Sequence, residues 1–148
     1  MILLFTEIFM FLTSWWVKKK LGIIDSQDAI IGNPLYDVAS LIDDVRIKLP
    51  QDLQNKMFQY YLLKSKLKNE EEYLIKNDFD ILSVQRNLKI LGIFVRLSKR
   101  DNKLNYLKYL PYTWLLIKRR MKNPIFDQLD ILFKKHLPLK KLKNLQNI

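Results

Sequence analysis

Gly22-Ile23-Ile24-Asp25-Ser26-Gln27-Asp28-Ala29-Ile30-Ile31-Gly32-Asn33-Pro34-Leu35-Tyr36-Asp37-Val38-Ala39-Ser40-Leu41 is the most informative stretch of the chain. A short apolar run ends in a carboxylate, Asp25, and a polar loop follows to Asp28. Ala29 to Ile31 then lead to Gly32-Asn33-Pro34, a turn signal, and Pro34 suits the first turn of a helix. From there Leu35, Val38, Ala39, Ile42 and Val45 fall at helical spacing, and Pro50 is expected to stop that helix. Asp25 can cap a turn, and Asp37 can be a helix-start acid.

Working outward, helices follow one another. A second is expected over Asp52 to about Leu67, on Leu53, Met57, Tyr60, Tyr61 and Leu63. Glu70, Glu71 and Glu72 open a third, since acids favour a helix N-terminus. A long apolar helix is expected from about Phe79 to Ser98. Another runs from Leu104 to about Met121, interrupted near Pro111. Asn123-Pro124 opens a last helix over Ile125–His136, and Pro138 ends it. Only three glycines and few runs of period two agree with a mainly helical fold. The expected organisation is an atypical apolar segment over 1–20, one helical domain over 21–138 and a basic tail over 139–148.

Composition narrows the chemistry. The chain has 148 residues, 49% of them apolar, and no cysteine, so disulfide, thiolate-metal and cysteine-nucleophile chemistry are absent. The single histidine, His136, rules out a histidine metal cluster within one chain. It sits in the last turn of a basic helix, where it complements the helix dipole. The net charge is +11. The 20 lysines and six arginines are scattered, with one dense run at Lys140, Lys141 and Lys143. That run reads as a solvated tail, and no nucleic-acid partner is expected. Met1 to Trp16 is apolar except for Thr6, Glu7, Thr13 and Ser14, and Lys18, Lys19 and Lys20 follow. It is short for a span of about 20 residues and carries Glu7. It reads as an apolar helix packed on the domain, with a membrane anchor as the alternative.

The opening stretch resembles the metal loop and following helix of aminoglycoside-phosphotransferase-type kinases, in particular their cell-wall amino-sugar branch, which reads roughly G-x-I-D-F-Q-D-A-x-x-G-P-x-x-Y-D-L-A-S-L. Gln85-Arg86-Asn87-Leu88-Lys89-Ile90-Leu91-Gly92-Ile93-Phe94 resembles a later helix of the same branch, and Tyr109 to Trp114 fits its later pattern. Two separated stretches in the right order are far more specific than a lone D-x-x-D. Ser26 replaces the branch's Phe, and Asn33 its frequent Pro.

The resemblance implies a mainly α fold, the helical C-terminal lobe of a protein-kinase-like phosphotransferase, with at most a short β-hairpin near Gly22–Asp25. It implies that Asp25 holds Mg²⁺ against nucleotide phosphates, with Asp28 assisting through water. Gly32 lets the loop turn, and Asp37 braces the catalytic loop from the next helix. ATP and Mg²⁺ are the cofactors of the whole enzyme, and neither is expected to bind this chain. Its catalytic loop, H-x-D-x-x-x-x-N, belongs just before the strand leading to Asp25. Phe5 to Trp16 stands there, without His, Asp or Asn, and such a base supplies about 10²–10⁴-fold in rate. Read two bases on, codons permitted for Phe5 to Met10 spell His-Arg-Asp-Phe-His, so the segment reads as an out-of-frame remnant of that loop.

Three functions follow. The leading expectation is a truncated, catalytically inactive remnant of an ATP-dependent amino-sugar kinase, cytoplasmic. The second is half of an active kinase whose nucleotide lobe is a separate chain. The third is a membrane-associated or interaction protein anchored by Met1 to Trp16. Arg86 and Asn87 are expected to tie neighbouring helices. Tyr60, Tyr61, Tyr106, Tyr109 and Trp114 are expected in the core rather than on a sugar platform.

Overall fold

A computed structural model describes residues 4–5, 14–17, 20–23, 30–65, 67 and 71–137, with side chains from residue 32 onward. The chain divides into two compact units, residues 1–44 with 49–71 and residues 45–48 with 72–148. The described fold is mainly helical.

The first unit carries short antiparallel pairings. Strand β1 (Leu4–Phe5) pairs with β4 (Ile30–Ile31), Leu4 opposite Ile31. Strand β2 (Ser14–Val17) pairs with β3 (Lys20–Ile23), with Trp15 opposite Gly22 and Val17 opposite Lys20. This is the hairpin expected near Gly22. It also corrects the helix expected over Met1 to Trp16, because the described parts of that segment are strands. Trp15, Trp16 and Val17 are aromatic or β-branched, types that fit a pleated surface better than a helix.

Helix α1 (Leu35–Ile42) starts on an Asn-Pro turn. The Leu35 N–H donates to Asn33 Oδ1 at 3.0 Å, and the Tyr36 N–H to the Asn33 carbonyl at 3.1 Å. Leu35, Ala39 and Ile42 bury one stripe. The helix ends at Ile42 rather than near Pro50. Asp43 and Asp44 follow, and carboxylates oppose the negative end of the helix dipole. Val45, which matched the helical spacing, is buried in the core of the second unit instead. Helix α2 (Gln51–Lys64) turns Gln54, Phe58 and Leu62 inward. The Gln54 amide donates to the Ile42 carbonyl at 3.1 Å and to Asp43 Oδ1 at 3.5 Å, so α2 satisfies buried acceptors at the C-terminal end of α1.

The second unit is organised by α3 (Glu72–Asp101), 30 residues long and therefore about 45 Å. Two helices expected here, one from Glu70–Glu72 and one from Phe79, are a single helix. Lys76 Nζ reaches Asp80 one turn on, at 2.9 Å, and carries the helix through Asn77 and Asp78. The buried stripe is Ile75, Phe79, Asp80, Ser83, Val84, Asn87 and Phe94. The helix ends on a residue in the left-handed region. Asn102 has φ 52° and the Lys103 N–H donates to the Leu97 carbonyl at 3.1 Å.

A 3-10 segment (Leu104–Tyr109) leads into α4 (Leu110–Arg120), the change falling beside Pro111 as expected. The Thr113 hydroxyl donates back to the Tyr109 carbonyl at 2.8 Å. Phe94 meets Tyr106 and Tyr109 with ring centroids 5.4 and 5.7 Å apart, and packs with Val45, Leu110, Tyr112 and Leu116. A second cluster joins Val84, Ile117 and Phe126 with Trp114, Leu129 and Phe133. A 3-10 turn (Pro124–Phe126) and α5 (Asp127–His136) complete the unit. Asn123 repeats the device of Asn33, accepting the Ile125 N–H on its side chain at 3.2 Å.

Gly92 lies inside α3, and a Cβ there would meet nothing within 4 Å. Gly92→Ala is therefore expected to stabilise the protein by about 0.5–1 kcal/mol, through lost freedom of the unfolded chain. A denaturant titration that shows Ala at this position to be destabilising would contradict the unobstructed helical backbone described at Gly92.

Candidate functional site

Asp25 and Asp28 lie outside the described residues. What the structure describes is the approach to them. Strand β4 leads to Gly32, which is exposed, and then to the Asn33-Pro34 turn and α1. No glycine among the described residues has positive φ. The turn is shaped by the Asn33 side chain and the fixed φ of Pro34 (−61°). The Asn that replaces the branch's Pro thus supplies a cap to the helix it introduces.

Asp37 stands in the first turn of α1, half-buried. Burial pushes its carboxyl above the usual value of 3.8. Tyr61 on α2 is pushed up by burial and by the negative charge of Asp37. The sign of the pH effect follows. Below pH 3.8 the group is neutral whether folded or unfolded, and its ionisation has no effect on stability. As pH rises through 3.8 and past the raised folded value, ionising inside the fold costs free energy. Asp37→Asn is therefore expected to raise the thermal midpoint at pH 7, with the gain vanishing at pH 3. A midpoint lowered at pH 7 would contradict this, and would mean that the charged form has a stabilising partner.

Asp80 is a polar centre that the sequence reading did not single out. Its side chain is 3% exposed. Its carboxylate accepts from Lys76 Nζ at 2.9 and 3.1 Å and from Asn123 Nδ2 at 3.1 Å. Arg120 Nη1 lies 3.6 Å away, and its guanidinium sits 4.7 Å from the Phe79 ring centroid. Asn123 also donates to Asn77 at 2.8 Å. The network ties α3 to the end of α4 and the turn into α5. The available signals were the Lys76–Asp80 spacing and an acid inside a buried apolar stripe. Its cations already neutralise the carboxylate, which makes it a structural junction rather than a metal ligand. Among the described residues no group of three acidic, histidine or cysteine side chains could hold a metal ion.

Asn87 is fully buried. Its amide donates to Ser83 on its own helix at 3.4 Å, and its Oδ1 has no hydrogen-bond partner. The expected tie from Asn87 to a neighbouring helix is therefore not made. Tyr106, Tyr109 and Trp114 pack against the core as expected. Tyr60 does not. It is 64% exposed, with Lys64 Nζ 5.9 Å from its ring, because it faces away from the Gln54–Phe58–Leu62 stripe of α2.

Both stretches that resemble the amino-sugar kinase branch thus flank or lie on helices, the first leading into α1 and the second on the long helix α3, and sequence comparison finds similarity to sugar kinases. The chain is similar to the N-acetylmuramate/N-acetylglucosamine kinase of Caulobacter vibrioides, 26% identical over 120 residues, covering 81% of the chain and 32% of that kinase. It is 33% identical to the kinase of the same name from Pseudomonas aeruginosa over 96 residues, 61% of the chain and 28% of that kinase. The Neisseria meningitidis kinase is 33% identical over 101 residues, 64% of the chain and 29% of that kinase. The chain thus spans about a third of the length of these relatives. No protein-family profile matches it.

Proposed function

We propose that this chain is the magnesium-loop portion of an ATP-dependent amino-sugar kinase of the aminoglycoside-phosphotransferase type, and that alone it does not transfer phosphate. The observation that carries the reading is the similarity to N-acetylmuramate/N-acetylglucosamine kinases over less than a third of their length. Phosphoryl transfer relies on positioning and on neutralising phosphate charge. Asp25 and Asp28 are hard oxygen donors suited to Mg²⁺, which would supply that neutralisation. Asp37 would brace the loop, and Gly32 would begin the turn out of it. The acceptor would be a hydroxyl of an amino sugar, and the working compartment the cytoplasm, where ATP is.

The test is a phosphorylation assay with N-acetylmuramate or N-acetylglucosamine, ATP and Mg²⁺. The chain alone should give no product. If a second polypeptide carrying the nucleotide lobe completes the enzyme, mixing the two should give turnover that Asp25→Ala abolishes. Turnover by the chain alone would overturn the proposal.

A further inference from the structure

Beyond the kinase reading, the last helix of the second unit presents an apolar, charge-balanced face in a strongly basic chain. Phe126, Leu129 and Phe133 of the α5 region pack inward. Ile125, Ile131 and Leu132 face out, 49%, 66% and 50% exposed, with Gln128 and Lys135 exposed among them at helical spacing. The charges of α5 are sorted by end. Its acids, Asp127 and Asp130, are in the first turn, and Lys134, Lys135 and His136 are in the last. Lys134 pairs within the helix with Asp130. Two carboxylates thus balance two ammonium groups on a chain of net charge +11.

We infer that α5 is the contact surface of a homodimer, packed antiparallel against α5 of a second copy about a twofold axis beside Ile131. The order of charges sets the direction. Asp127 lies four residues before Ile131 and Lys135 four residues after it, each about 6 Å along the helix. An antiparallel pair therefore sets Asp127 of each copy against Lys135 of the other, twice by symmetry. A parallel pair would set acid against acid and lysine against lysine. Ile131 and Leu132 fall at the axis and meet their own symmetry copies, which gives an apolar centre with ion pairs at the rim. The balance of charge selects the occupant. A polyanion finds no excess of positive charge on this face, whereas a second copy finds the complementary order. One face of a ten-residue helix buries less than the roughly 1,200 Å² of a stable specific complex, so the dimer is weak and concentration-dependent.

The test is sedimentation equilibrium of the full chain across the micromolar range. Physiological ionic strength is used, where screening confines repulsion between two basic chains to roughly 8 Å. A reversible monomer–dimer equilibrium is expected, with Kd on the order of 10⁻⁵–10⁻⁴ M. Ile131→Asn with Leu132→Asn should weaken it about tenfold or more, with the circular dichroism spectrum unchanged because both side chains are exposed in the single chain. Lys135→Glu should weaken it several-fold by setting acid against Asp127. Adding Asp127→Lys to that variant should restore it, because the exchanged charges again face each other. A monomer at every concentration would overturn the inference. So would a dimer indifferent to the Ile131/Leu132 change, which would place the contact elsewhere. A dimer that Lys135→Glu leaves intact, or that the charge exchange fails to restore, would overturn the antiparallel pairing.

Discussion

Replacing Phe79 by Ala is expected to destabilise the protein by about 3–5 kcal/mol, the range for deleting a buried ring. Phe79 has no exposed surface and lies on the inward stripe of α3. Its ring also carries the Arg120 guanidinium at 4.7 Å, a contact worth more when desolvated. The truncation therefore opens a cavity and removes the platform under a cation. Phe79→Leu keeps much of the volume and should cost less than half as much. Equilibrium urea unfolding of both variants checks this. A loss below about 1 kcal/mol for Phe79→Ala would show that the site collapses or that the ring is not core.

Asp80→Ala is expected to cost about 3 kcal/mol, the lower end for breaking a buried ion pair. Arg120, whose side chain is 15% exposed, loses its anion, and Asn123 loses one of its two acceptors. Lys76 is half exposed and returns to water, so its share of the loss is small. Asp80→Asn keeps an acceptor but not the charge, and should cost about 1–2 kcal/mol. Thermal midpoints should fall by roughly 6–12 °C for the Ala variant, by the usual scaling for a chain of this size. Equal effects of Ala and Asn would show that the charge has no part in the junction.

Much of the helical order was legible because its signals are local. Asn33-Pro34 and Asn123-Pro124 announce helix starts, and Pro111 marks the passage from 3-10 to α-helix. The misreadings came from long-range packing. Val45 kept the α1 spacing by coincidence, since its burial belongs to the other unit. The one helix α3 was read as two, starting at Glu70–Glu72 and at about Phe79, because the partners that hold Asp80 in the shared stretch, Arg120 and Asn123, lie some 40 residues further on. Tyr60 is aromatic enough for a core, and only the placement of the Gln54–Phe58–Leu62 stripe turns it outward. Asp37 stands in the first turn of α1, where the helical spacing placed it. Its partial desolvation and its coupling to Tyr61 depend on how α1 meets α2, which spacing alone does not reveal.

The proposed kinase ancestry treats Asp25 as a magnesium ligand for a nucleotide that this polypeptide alone does not hold. Calorimetric titration of the purified chain with ATP and Mg²⁺ tests this most directly. The account predicts no saturable heat. Submillimolar binding that disappears in Asp25→Ala would contradict it, because the chain would then carry a working nucleotide site of its own.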